Sequence, residues 1–229
     1  SSIPILFDAD IEYGLHQRFP KGTDLLPLMA IAATNDPDNA YDIGKIIAKE
    51  SRAVGIHWNF SPVVDVNNNP ANPIINVRSF SEDPDMVIDY GIQFMRGLQD
   101  HGMLATAKHF PGHGDTETDS HSSLAMISSD SLRLWTLEIP PFQSMINNGV
   151  DAVMVGHMHA PDYQPDSDIP ASMDPFWVND ILRNRLNFNG AIVTDGMGMG
   201  GITKNYSDAF ALVEAVNAGC DIIIQNYDI

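Results

Sequence analysis

Met103-Leu104-Ala105-Thr106-Ala107-Lys108-His109-Phe110-Pro111-Gly112-His113-Gly114 begins as a short apolar run and turns abruptly into a polar loop that carries proline and glycine. The same grammar recurs along the chain. Ile3-Pro4-Ile5-Leu6-Phe7 runs into Asp8, and Gly55-Ile56-His57-Trp58-Asn59-Phe60 into Ser61. Ala152-Val153-Met154-Val155 stops just before His157, Ala191-Ile192-Val193-Thr194 before Asp195, and Ile222-Ile223-Ile224 before Gln225. Apolar runs of this length bounded by polar and turn residues read as buried strands. Asp8 and Asp10, Asp65, Lys108 and His109, His157 and Asp195 therefore follow the carboxyl ends of five different strands.

Helices separate the runs. Asp36-Pro37 opens one that closes at Gly55, and Asp83-Pro84 opens another that closes at Gly102; Asp174-Pro175 and Ser207 open two more, the last ending near Gly219. A capping Asp or Ser, proline in the first turn and glycine just past the end satisfy or dispense with the unpaired backbone groups at helix termini. In the second helix Val87, Ile88, Gly91, Phe94, Met95 and Leu98 keep a 3.6-residue period and define one apolar face. Pro140-Pro141 must break or kink whatever helix forms around 130–148.

Alternating strand and helix predicts an α/β chain with a parallel sheet. Six strands suit a doubly wound sheet or most of a (β/α)8 barrel. Chemistry-bearing residues at the ends of many strands favour the barrel, whose active sites are assembled there. A doubly wound sheet would concentrate its ligand at one switch point with a glycine-rich first loop, and no such loop follows any strand. The expectation is one barrel domain over 1–229, without repeats or linkers.

The chain has 229 residues with 12 Lys+Arg against 30 Asp+Glu, a formal charge of −18, and 44% hydrophobic residues. That is enough apolar material for a sizeable core. The acidity argues against nucleic acid or an anionic membrane as partner. Cys220 is the single cysteine, which removes an internal disulfide and a multi-cysteine zinc site. No apolar run is long enough to span a membrane, and no charged leader with an apolar core is visible. Oligomeric state is left open.

The densest chemistry lies in Lys108–His121, where three histidines, one lysine and three carboxylates crowd 14 residues. Asp119 and His121 stand two apart, so an extended backbone turns both side chains the same way. A carboxylate beside an imidazole fixes its tautomer and favours its charged form, giving a proton donor and acceptor for near-neutral pH. Asp195, in Val193-Thr194-Asp195-Gly196-Met197-Gly198, is a candidate nucleophile where glycines allow a ligand to come close. Arg18, Arg78 and Lys108 stand out in a cation-poor chain as donors to substrate oxygens.

These residues resemble the catalytic domain of family-3 glycoside hydrolases, particularly the bacterial β-N-acetylglucosaminidases of peptidoglycan recycling. The resemblance is carried by Lys108-His109-Phe110-Pro111-Gly112-His113-Gly114 with Asp119-Ser120-His121. It is supported by Asp10-Ile11-Glu12, Gly14 and Gln17-Arg18-Phe19, by Arg78-Ser79-Phe80-Ser81-Glu82-Asp83-Pro84, by Pro170-Ala171-Ser172 and by Thr194-Asp195. It implies a (β/α)8-type barrel of which this chain supplies about strands three to eight. It implies hydrolysis with retention at the anomeric carbon, with Asp195 as nucleophile and His121 with Asp119 as acid/base dyad. Asp10, Arg18, Arg78, Lys108 and His109, joined by His157, would hold the terminal sugar of a glycan, with no cofactor or metal. The compartment is left open between bacterial cytoplasm and export to the periplasm or beyond. Tyr13 and Leu15 depart from the glycine and arginine that many members carry there.

Two other classes compete. A metal-dependent barrel hydrolase would use His109, His113, His121, His157 or His159, with His157-Met158-His159 as a two-ligand spacing. A sugar-binding protein would keep the pocket without turnover. Within the family, the runner-up activity is that of a β-glucosidase or β-xylosidase.

Overall fold

The computed structural model describes residues 4–121, 123–127, 131–164 and 167–225. Its strands are Asp8–Ala9 (β1), Trp58–Asn59 (β2), Leu104–Phe110 (β3), Ala125–Met126 (β4), Ala152–Val155 (β5), Met158–His159 (β6) and Ala191–Thr194 (β7). Five of them form one parallel sheet in the order β1-β2-β3-β5-β7, while β4 and β6 pair separately. The spatial order follows the chain order without reversal. Each crossover therefore advances the sheet in one direction, which curls it into an arc of a (β/α) barrel; a doubly wound sheet reverses at its switch point.

Two strand expectations shift. The apolar run 3–7 is not itself strand within its described part: β1 begins at Asp8, and Phe7 contributes only its carbonyl, to the N–H groups of His57 and Trp58. Ile5, Leu6 and Phe7 are exposed because β1 has a hydrogen-bonded neighbour on one side only, among the described residues. The run at 222–224 reaches β7 through a single bridge, Ile222 to Val193.

The helices are Leu28–Ala32 (α1), Asp38–Ala53 (α2), Pro84–Gln99 (α3), Ser131–Arg133 (α4), Ile139–Asn147 (α5), Gly200–Thr203 (α6) and Asp208–Ala218 (α7). The expected termini hold. Asp83 accepts from the Asp85 N–H with Pro84 in the first turn, and Gly219 ends α7 in a left-handed conformation at φ 109°. On α3, Val87, Gly91, Phe94, Met95 and Leu98 are buried as expected; Ile88 is only half-buried, and Tyr90 takes a core place by donating its hydroxyl to the Ala32 carbonyl. Pro140 and Pro141 do not end their helix. Neither can donate a backbone bond, and the turn before them, Leu134–Glu138, widens to π geometry before α5 resumes. The helix from Asp174-Pro175 also forms, as a π-helix over Phe176–Arg185.

Helices pack on the outer face of the sheet over a continuous core that includes Val63, Phe80, Phe94, Phe110, Phe142 and Trp177. A separate cluster of Trp58, Phe60, Ala152, Met154 and Val193 forms within the sheet, where the Trp58 indole donates to Thr106 Oγ1 at 2.7 Å. Burying each such large side chain contributes about 1.5–3 kcal/mol. Because the five sheet strands are parallel, their carboxyl ends face one way, and the loops that leave them converge.

Candidate active site

A cavity of about 300 Å³ opens at those strand ends, lined by Asp10, Glu12, Tyr13, Gln17, Arg18, Ile74, Arg78, Lys108, His109, His121 and Asp195. Seven of the nine residues singled out from the sequence line it. Asp119 stands behind His121, and His157 lies beneath the Asp195 turn.

The floor is an ion cluster. Lys108, on β3, has a side chain only 3% exposed and reaches Asp10 Oδ1 at 2.7 Å and Glu12 Oε1 at 2.9 Å. Arg78 forks onto the same glutamate, with Nε to Oε2 at 2.9 Å and Nη2 to Oε1 at 2.8 Å. Burial would push the Glu12 carboxyl up, but Lys108 and Arg78 outweigh it and hold the group well below the usual carboxylate range. Burial likewise works against the Lys108 ammonium, and Glu12 with Asp10 reverses that and raises its pKa. Arg18, half-exposed, stands 3.8 Å from Asp10 Oδ2 at the mouth.

Asp65 organises the next layer. Fully buried in the segment after β2, it accepts the His109 N–H at 3.2 Å and the His113 N–H at 2.6 Å, and lies 2.8 Å from His109 Nδ1. His109 Nε2 is thereby turned toward Arg78 Nη2, 3.5 Å away. Burial tends to raise the Asp65 pKa; His109 and His113 more than offset it, and the net direction is down.

Asp195 follows β7 directly. Its N–H donates to the Val155 carbonyl at 2.9 Å and its Oδ1 accepts the Gly196 N–H at 2.7 Å. Although burial pushes the carboxyl up, His109, His157, the Gly196 amide and Lys108 bring it below the ordinary value, so it is a carboxylate at neutral pH. Both nitrogens of the buried His157 are engaged, Nδ1 with Ser172 Oγ at 2.8 Å and Nε2 with the Gly196 carbonyl at 2.9 Å. Burial lowers its pKa, so the ring is neutral and props the Asp195-Gly196 turn from below.

The long loop after β3 brings in His121, which also lines the cavity. Asp119 Oδ1 is 2.8 Å from His121 Nδ1 and also accepts the His121 N–H at 2.8 Å, through a turn rather than an extended strand. The His121 side chain is 59% exposed and lines the cavity, with Nδ1 the nitrogen that Asp119 engages. Burial opposes the Asp119 charge, but the His121 amide and ring overcome it and lower its pKa.

Glu12 and Asp65 organise the site without having been assigned to it. Glu12 had a legible signal, since it stands two residues beyond Asp10 after a strand, as His121 stands two beyond Asp119. Among the described residues no group of three or more His, Cys, Asp or Glu is disposed to hold a metal ion. The rings of His113 and His157 use both nitrogens in hydrogen bonds within the protein.

A curled parallel sheet with a pocket of carboxylates, cations and histidines at its strand ends defines the class, and the family comparison agrees. The chain belongs to glycosyl hydrolase family 3, matching the family's N-terminal domain over residues 1–228. It is 36% identical to a beta-N-acetylglucosaminidase/beta-glucosidase of Cellulomonas fimi, over 98% of this chain and 41% of that protein. It is 38% identical to a beta-hexosaminidase of Stenotrophomonas maltophilia (strain K279a), over 96% of this chain and 67% of that one. Among solved structures it superposes on a family-3 beta-N-acetylglucosaminidase from Paenibacillus sp. str. FPU-7 with a TM-score of 0.93 and 41% identity, over 98% of this chain and 43% of the other. The chain thus spans about two fifths of the Cellulomonas relative. No helix among the described residues is long and apolar enough to cross a membrane.

Proposed function

We propose that residues 1–229 belong to the catalytic domain of a retaining, exo-acting β-N-acetylglucosaminidase that removes terminal N-acetylglucosamine from peptidoglycan-derived or related glycans. The observation that carries this reading is that Asp195 and His121 line one cavity together with Asp10, Arg18, Arg78, Lys108 and His109. The cavity's volume of about 300 Å³ suits one sugar ring rather than a run of them, in keeping with attack at a chain end.

Asp195, anionic at neutral pH, attacks the anomeric carbon while His121 gives a proton to the departing oxygen. His121 then takes a proton from the water that hydrolyses the glycosyl–aspartate ester. Asp119 holds the ring in one tautomer and orientation. Asp10, Arg18, Arg78, Lys108 and His109 bind sugar hydroxyls, so that contacts remote from the scissile bond contribute to the transition state. His157 acts by supporting the Asp195 turn.

The test uses the complete protein with aryl β-N-acetylglucosaminide and aryl β-glucoside side by side. Faster hydrolysis of the first, lost in Asp195→Ala, is the expected result. His121→Ala should cost about 10²–10⁴-fold on substrates with poor leaving groups and far less on activated aryl glycosides. Equal losses on both would remove His121 from proton transfer. The double name of the Cellulomonas relative keeps β-glucosidase as the second reading, and a preference for the glucoside would establish it.

A further inference from the structure

The long loop after β3 is more firmly held than its length and composition suggest, and one buried histidine accounts for it. His113 is 1% exposed and is not part of the lining of the site cavity. Its Nδ1 lies 2.5 Å from Thr116 Oγ1 and its Nε2 2.9 Å from Ser120 Oγ. Its N–H goes to Asp65, and its carbonyl accepts from Asn72 Nδ2 at 2.8 Å and from Thr116 Oγ1 at 3.0 Å. Since the Thr116 hydroxyl proton is spent on that carbonyl, Oγ1 accepts from Nδ1–H. A neutral ring then presents a bare Nε2, and the Ser120 hydroxyl donates to it. Burial pushes the His113 pKa down to about 4, which keeps the ring neutral.

Ser120 is the residue between Asp119 and His121. Its hydroxyl is tied to His113, its carbonyl accepts the Gly201 N–H at 3.0 Å, and the His121 carbonyl accepts the Gly200 N–H at 2.9 Å. A Cβ at position 201 would sit 3.0 Å from the Ser120 carbonyl oxygen and 3.3 Å from the His157 Cβ, so the glycine lets α6 come against the loop. The Asp119–His121 segment is thus pinned from one side by a side chain of its own loop and from the other by the first two residues of α6. The His121 side chain itself is 59% exposed and is held through Nδ1 by Asp119.

We propose that His113 is a positioning residue which, through Ser120, sets where His121 stands over the cavity for proton transfer. Asp65 extends the same frame to His109, so one buried carboxylate, on the His109 ring and the His113 backbone, aligns a sugar contact and the acid/base group. The inference rests on the reading of Asp119 and His121 as the dyad. Proton transfer is sensitive to placement, and a misplacement of about 1 Å can cost about 10²-fold in rate.

The experiment compares kcat and KM of the complete protein on an activated nitrophenyl and an alkyl β-N-acetylglucosaminide. The variants are Ser120→Ala and Thr116→Val, each removing one partner of the His113 ring, with His121→Ala as reference. Ser120→Ala and Thr116→Val are expected to lower kcat on the alkyl glycoside by about 10- to 100-fold and on the nitrophenyl glycoside by less than about threefold, with KM little changed. A merely structural role would lower both substrates equally, through the amount of folded enzyme. If His121→Ala shows the split and neither variant does, the positioning role is wrong and the dyad stands. If His121→Ala shows no split, the dyad reading itself fails and takes the inference with it. Should Ser120→Ala not fold, the nearly isosteric Thr116→Val decides alone.

Discussion

Glu12 does the most with a single side chain. Its carboxylate is the shared counter-ion of Lys108 and Arg78, and each of those cations donates hydrogen bonds to it inside the protein. Desolvated charges of this kind are tolerated only while each is paired. Glu12→Gln keeps the shape but leaves Arg78 without its anion and Lys108 with Asp10 alone. The expected cost is about 3 kcal/mol of stability, read from urea denaturation, together with weaker substrate binding. A loss below about 1 kcal/mol would show that Asp10 beside Lys108, and Asp65 and Asp195 around Arg78, suffice to compensate the two cations.

At the scale of elements, α2 and α3 approach closely enough that small residues decide the contact. A Cβ on Gly44 would meet the Phe94 carbonyl oxygen at 2.3 Å, and one on Gly97 would meet the Tyr41 carbonyl oxygen at 2.2 Å. Both obstacles are helix backbone and cannot swing aside. Gly97→Ala should therefore cost about 1–3 kcal/mol despite the better helix propensity of alanine, with a lowered thermal midpoint as the readout. Stabilisation by the substitution would mean that the two helices can slide apart freely. Element boundaries were only partly legible beforehand. Caps and glycine stops marked α2, α3 and α7 because terminal chemistry is local. The π turn ahead of Pro140 and the start of β1 at Asp8 depend on which backbone partners exist, and apolar runs do not reveal that.

Across the whole molecule, buried ionisable groups set the acid response. Glu12, Asp65 and Asp195 have folded pKa values below their ordinary ones, so their stabilisation is complete above the unfolded carboxylate range and fades as pH falls through it. His113, lowered from 6.5 to about 4, acts in the same direction but earlier. Below pH 6.5 the unfolded chain takes up a proton at this site that the folded ring refuses, so stability falls as the pH is lowered from 6.5 toward 4. Buried His157 adds to the same trend. Urea midpoints should accordingly drop between pH 7.5 and pH 5 by an amount corresponding to roughly 2–4 kcal/mol. A flat profile across that interval would mean that His113 is protonated in the native protein.

What the chain's order of residues determined alone is the alternation of strand and helix and the placement of Asp10, Lys108, His109 and Asp195 at strand ends. Both are local: a strand's end is written in a few consecutive residues, and parallel strands send those ends to one face. The pairing of Asp119 with His121 was legible for the same reason. Only the tertiary structure decided that Glu12 would neutralise two cations from distant segments, that Asp65 would hold His109 and His113 together, and that His157 would support the Asp195 turn rather than line the cavity. Those roles depend on which charges lose their water and which neighbours replace it, and that is settled when segments far apart in the chain are packed against one another.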